Sequence, residues 1–155
     1  MSTFAVAGIS LPVPVGWEAR GSAPTSDGHA ERTFSVVHLA TFPLSAPRAE
    51  FGGGAVESMR DDDAFVALVE YTPASAGTPL FARHGVPSRL RAASFSSGGL
   101  QRMIRGQRGL QRFFHVAGRA FCLYVVLGGQ SALTRPLGEV NQILDGLVVR
   151  ASPGA

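Results

Sequence analysis

Lysine is missing from this chain: all 14 of its basic residues are arginine, a bias that reflects a GC-rich genome more than selection for guanidinium chemistry. Without lysine there is no phosphate loop, because Gly52-Gly53-Gly54 is not followed by Lys-Ser or Lys-Thr, and no Gly-x-Gly-x-x-Gly follows a strand elsewhere. The high isoelectric point comes from arginine's high pKa, since the formal charge is only +3. The 11 acids are interspersed with the bases through most of the chain, which argues against a phosphate-neutralising face and so against nucleic acid as partner. Cysteine occurs once, at Cys122, so no intramolecular disulfide exists, and a reducing, cytoplasmic setting is expected. The apolar stretch Phe4 to Val15 has no base before it and is interrupted by Pro12 and Pro14, unlike a signal peptide. Ala120 to Leu127, the longest apolar run, falls far short of the roughly 18 to 20 residues that span a bilayer as a helix. His29, His38, His84 and His115 have no cysteine or acid at metal-ligand intervals, so neither a metal nor a cofactor is expected.

At 155 residues the chain suits one domain, predicted over residues 1–150 with a frayed tail at 151–155. The 19 glycines and 10 prolines favour turns and β structure over long helices. Phe4 to Leu11 reads as a strand; Pro12 to Trp17 turns the chain, with Trp17 as a lid on the core, toward a short return through Glu18 and Arg20. Residues 21–31 form a polar loop, and Thr33 to Phe42 alternates as a strand. Ala55 to Met59 allows a turn or two of helix. Asp61-Asp62-Asp63 stands where it would cap a helix, but Phe65, Val66, Val69 and Tyr71 favour a strand over 64–71. Residues 72–88 read as an irregular loop with a turn near Ala74 to Ala76, followed by modest strands over 89–95 and 100–105. Leu110 to Leu127 reads as a hairpin about Ala117-Gly118, and its second strand is apolar on both faces, which calls for a layer on each side. Leu133, Leu137, Val140, Ile143, Leu144 and Leu147 recur at helical spacing, with Pro136 in the first turn and Gly146 at the stop; a short strand over 147–150 closes the chain. The predicted class is α+β: a largely antiparallel sheet covered by helices on its faces, ending in a helix and a short strand.

Ile9-Ser10-Leu11-Pro12 leading to Gly16-Trp17, the strand from Gly118-Arg119 to Leu127, and Val140-Asn141-Gln142-Ile143-Leu144 running into Leu147-Val148-Val149 together span about half the chain. In this order they resemble the PsbP-like α/β/α sandwich. The resemblance implies a binding or accessory role, because members of that superfamily bind different partners, and it carries no catalytic motif.

Three residues are candidates for a pocket. His38 shares a strand face with Phe34, Val36 and Phe42, where an imidazole serves as acid or base or simply packs in the core. Glu70 shares a face with Ala64, Val66 and Leu68, as a carboxylate of raised pKa or as the partner of an arginine. Arg112 belongs to a basic and aromatic group, Arg102, Arg105, Arg108, Arg112 and Arg119 with Phe113, Phe114 and His115, which suits either phosphate binding or a solvated hairpin face. Cys122 is expected to be buried and inert. No residue is assigned a catalytic role. The expected function is a non-catalytic accessory or adaptor protein that binds another protein through Phe42 to Gly54 or Thr72 to Pro87, with Phe42, Phe51, Gly52, Gly53, Leu80 and Phe81 as contacts. The alternatives are a small-ligand binder or enzyme with a pocket near His38, Glu70 and Arg112, and self-association through an edge strand.

Overall fold

The residues between Arg119 and Leu127 are β-branched, aromatic or aliphatic almost without interruption, and a strand of that composition is stable only with both faces covered. The computed structural model, which describes residues 1–22, 34–45 and 48–152, places this strand, β7, inside a five-stranded antiparallel sheet with every residue buried. Its partners are β3 (Glu18–Ser22), β4 (Val36–Ala40), β5 (Ala64–Tyr71) and β6 (Arg108–Val116), in the order β3-β4-β5-β7-β6. A three-stranded antiparallel sheet, β1 (Ser2–Val6), β2 (Ile9–Val13) and β8 (Val148–Val149), stands apart from it in the order β1-β2-β8. The helix α1 (Arg135–Asp145) joins β7 to β8. The class is α+β.

The two faces of the large sheet are covered differently. On the first, Val37, Leu39, Val66, Leu68, Leu123 and Val125 pack against α1 through Val140, Ile143 and Leu144 and against Ile9 and Leu11 of β2. On the second, Phe65, Ala67, Val69, Tyr124 and Val126 lie under Leu44, Phe51, Ala55 and Val56, with Leu100 and Ile104 alongside. The cover there is irregular chain and a 3-10 turn at Val56–Ser58, where the sequence suggested a helical layer. Gly52 makes the close approach feasible: its φ is +88°, and a Cβ would sit 2.6 Å from the Phe65 ring. Each large apolar side chain buried on either face contributes about 1.5–3 kcal/mol.

Three expectations need correction. The strand read over Phe4 to Leu11 is a hairpin, because Ala7 and Gly8, with φ of 49° and 78°, form a two-residue turn inside the apolar run. The strands read over 89–95 and 100–105 do not form; 3-10 turns occupy Ala92–Ser94 and Ser97–Gly99. Tertiary bonds compete there: Leu90 is buried, and its N–H donates to Asn141 Oδ1 at 2.8 Å, pinning the segment to α1 instead of to a ladder. The closing helix starts at Arg135, after a separate 3-10 turn at Gln130–Leu133. Thr33, His29, most of the polar loop and the last three residues lie outside the described residues.

Candidate functional site

His38, Glu70 and Arg112 do not share a pocket. His38 is buried on the second face, its ring 5.1 Å from that of Phe65. Arg48 Nε donates to its Nδ1 at 3.1 Å, so its Nε2 carries the proton and donates to Glu50 O at 2.7 Å. Burial, and to a lesser degree the Arg48 charge, hold its pKa below the ordinary value against the opposing pull of the Glu50 carbonyl. Glu70 points to the opposite face, because β5 pairs with β4 in a register that puts Ala67 beside His38 and leaves Glu70 an odd number of residues away. Its partner is Arg119, not Arg112: Arg119 Nε and Nη2 donate to the two carboxylate oxygens at 2.8 and 2.9 Å. Arg112 is half-buried on β6 and donates to the Gln111 carbonyl at 3.0 Å. Of the basic group, Arg102 and Arg105 are exposed and Arg119 is buried, so its members do not form one basic face.

The residues expected to contact a partner divide in the same way. Phe42 and Phe51 are half-buried and pack on the second core, Phe51 edge-on to Tyr124 with ring centres 5.5 Å apart. Gly52 is buried and Gly53 half-buried beneath the same loop. Phe81 is buried against Tyr71 and Phe113. Leu80, 61% exposed, is the one of the six that is fully presented to solvent. Cys122 is buried, and its thiol is pushed up to about 12 by loss of solvation.

A groove does form at one end of the large sheet. Two adjoining cavities of about 330 and 350 Å³ share Thr41 and Asp63. Four separate segments build it: the β2–β3 connection with Val15 and Trp17, the chain after β4 with Thr41 and Phe42, the turn before β5 with Arg60, Asp62 and Asp63, and the start of α1 with Pro136 and Glu139. Its floor is fixed by hydrogen bonds. Thr41 Oγ1 and Arg60 N–H donate to the Asp63 carboxylate at 2.7 and 2.8 Å, and Trp17 Nε1 donates to Glu139 Oε1 at 3.2 Å. Ser131 N–H donates to Asp61, and the bonds from Ser131 hold that carboxyl below its usual pKa. Val15, by contrast, is 78% exposed at the mouth.

Of the residues expected to contact a partner, Phe42 alone lines this groove. Trp17 reads from sequence as a lid on the core and Asp61 to Asp63 as the run that precedes a strand, and nothing in residue spacing joins those segments to each other or to Glu139. Among the described residues no three or more His, Cys, Asp or Glu gather as a metal cluster. No helix among them is long and apolar enough to cross a membrane. Comparison with protein-family models, curated proteins and solved structures returns no match to this chain.

Proposed function

We propose that this chain is a non-catalytic accessory protein that binds another protein, and that the groove at the sheet end receives an extended segment of that partner. The carrying observation is Val15: a large apolar side chain 78% exposed beside the buried Trp17, on a concave surface assembled from four parts of the chain. An apolar side chain of the partner fits against Val15, and the rim carries both signs of charge, with Asp62 beside Arg60 and Arg135. The groups that would do chemistry are engaged elsewhere: His38 with Arg48 and Glu50, Glu70 with Arg119, and Cys122 inside the sheet. A PsbP-like fold and a cytoplasmic setting belong to the same reading. The antiparallel sheet with its closing helix on one face supports the resemblance, while the irregular cover of the second face departs from an α/β/α sandwich.

The test is affinity capture with the tagged full-length chain, Val15→Asp, and Leu80→Asp as a control on a different surface. A stoichiometric protein retained by the wild type and the Leu80 variant but lost with Val15→Asp supports the reading. Capture that survives Val15→Asp moves the interface away from the groove, and a retained metabolite with no protein replaces the proposal with a small-ligand function.

A further inference from the structure

The outer edge of β6 carries a feature that the groove does not explain. The chain at 83–85 runs beside the end of β6 and pairs with it: Gly85 N–H donates to His115 O, and His115 N–H to Arg83 O, each at 2.9 Å. This bridge sets His84 directly alongside His115 in parallel register. Their ring centres lie 5.1 Å apart with the planes inclined by 45°.

The protonation of His115 follows from its partner. Its Nδ1 lies 2.7 Å from Phe81 O, and a carbonyl can only accept, so Nδ1 carries a proton, and in the neutral ring Nε2 presents the lone pair. A backbone carbonyl on the far ring nitrogen is the arrangement that fixes the tautomer and orientation of metal-binding imidazoles. Phe81 is a firm anchor, because it is buried and wedged between Tyr71 and Phe113, with ring centres 5.2 and 5.5 Å away.

The ring-centre spacing allows a shared ion once the exposed His84 side chain turns a ring nitrogen toward His115 Nε2. An imidazole nitrogen binds zinc at about 2.0–2.1 Å, which puts the ring centre about 3.2 Å from the metal, so two imidazoles at a tetrahedral angle have centres about 5.2 Å apart. His84 is exposed and His115 half-buried, which leaves an approach from solvent. We propose that His84 and His115 form a two-imidazole site for a transition-metal dication of the zinc, copper and nickel class, the ions that imidazole suits. Thirty residues separate the two histidines in the sequence, so spacing alone gives no sign of the pair.

The experiment is calorimetric titration of the full chain at pH 7.5 with ZnCl₂, and separately with NiCl₂, alongside His84→Ala, His115→Ala and Leu80→Ala. One ion per chain is expected in the micromolar range, weakened at least tenfold by either histidine change and unaltered by the leucine change. Near-UV circular dichroism confirms that each variant is folded; His84 is exposed, so its variant isolates ligand loss from misfolding. Zinc binding is also expected to shift the His115 Nε2 resonance. No saturable binding below about 1 mM free ion, or binding indifferent to His84→Ala, overturns the proposal.

Discussion

Replacing Arg119 by methionine is expected to destabilise the protein by about 3–5 kcal/mol, the range for removing one partner of a buried ion pair. Arg119 and Glu70 are 3% and 5% exposed. Besides its two bonds to Glu70, the guanidinium donates through Nη1 to Ala7 O at 2.8 Å and to Arg150 O at 2.9 Å. Ala7 lies in the β1–β2 turn and Arg150 directly follows β8, so one side chain of the large sheet fastens the three-stranded sheet at both its turn and its end. Methionine replaces most of the apolar stem, leaving a buried carboxylate and two backbone carbonyls without these donors. For a domain of this size each kcal/mol corresponds to about 2–4 °C in Tm, so a fall of about 6–20 °C is expected.

The assay is urea denaturation at pH 7 followed by the fluorescence of Trp17, the sole tryptophan, and by far-UV circular dichroism. The double variant Arg119→Met with Glu70→Leu removes both charges. It is expected to lose less stability than the two single changes added together, leaving the cost of the unpaired carbonyls at about 1–3 kcal/mol each. A loss below about 1 kcal/mol for Arg119→Met, or strict additivity in the double variant, would refute the argument that this pair is a dry, coupled fastening.

Two further outcomes follow from buried titratable groups. With its pKa near 12, the Cys122 thiol in the native protein is expected to react with a disulfide reagent at pH 8 about 10³-fold more slowly than in urea, where the ordinary value near 8.5 returns; comparable rates would place the thiol at the surface. His38 has a lowered pKa in the fold, so the unfolded chain takes up its proton first as pH falls: its contribution is full above about pH 6.5 and is lost as pH drops through the native value. His38→Gln, whose amide can still accept from Arg48 and donate to Glu50, is expected to flatten the fall of the urea midpoint between pH 7 and 5, and parallel slopes would show that His38 does not set it.

What the sequence made legible was what a single element decides for itself. The doubly apolar run of β7, the alternation around β4 and the helical spacing of α1 each overdetermine their structure, and Ala117-Gly118 is a turn signal lying between two strong strands. The first hairpin was hidden because Ala7 is an unremarkable apolar residue until its φ of 49° is known. The segment from 89 to 105 misled because β-compatible residues took their bonds from α1 and from isolated bridges. For the site, the face occupied by His38 and the pairing of Glu70 with an arginine could be read from type and parity. Which of five nearby arginines pairs with Glu70 depends on the β5–β7 register, which places Phe121 beside Glu70 and Arg119 two residues further along the same face. The groove was out of reach for the same reason, since its walls are four segments that meet only in three dimensions.

Because β5 and β7 are buried on both faces, the centre of the sheet has no surface to offer, and the proposed binding surfaces lie at the sheet's ends and edges. That placement has a mechanical consequence at the groove. Trp17 is bonded to Glu139, and Glu139 lies on the same helix as Asn141, whose side-chain amide donates to Leu90 O at 3.0 Å. Under the proposed reading, a segment docked against Val15 and Trp17 would bear on α1, and through Asn141 on the chain at residue 90. Trp17→Phe keeps most of the apolar contact but deletes the bond to Glu139. If α1 is the connection, this change should raise amide exchange in α1 and around Leu90 while the hairpin of β6 and β7 keeps its protection; exchange raised only within residues 14–18 would confine Trp17 to the groove.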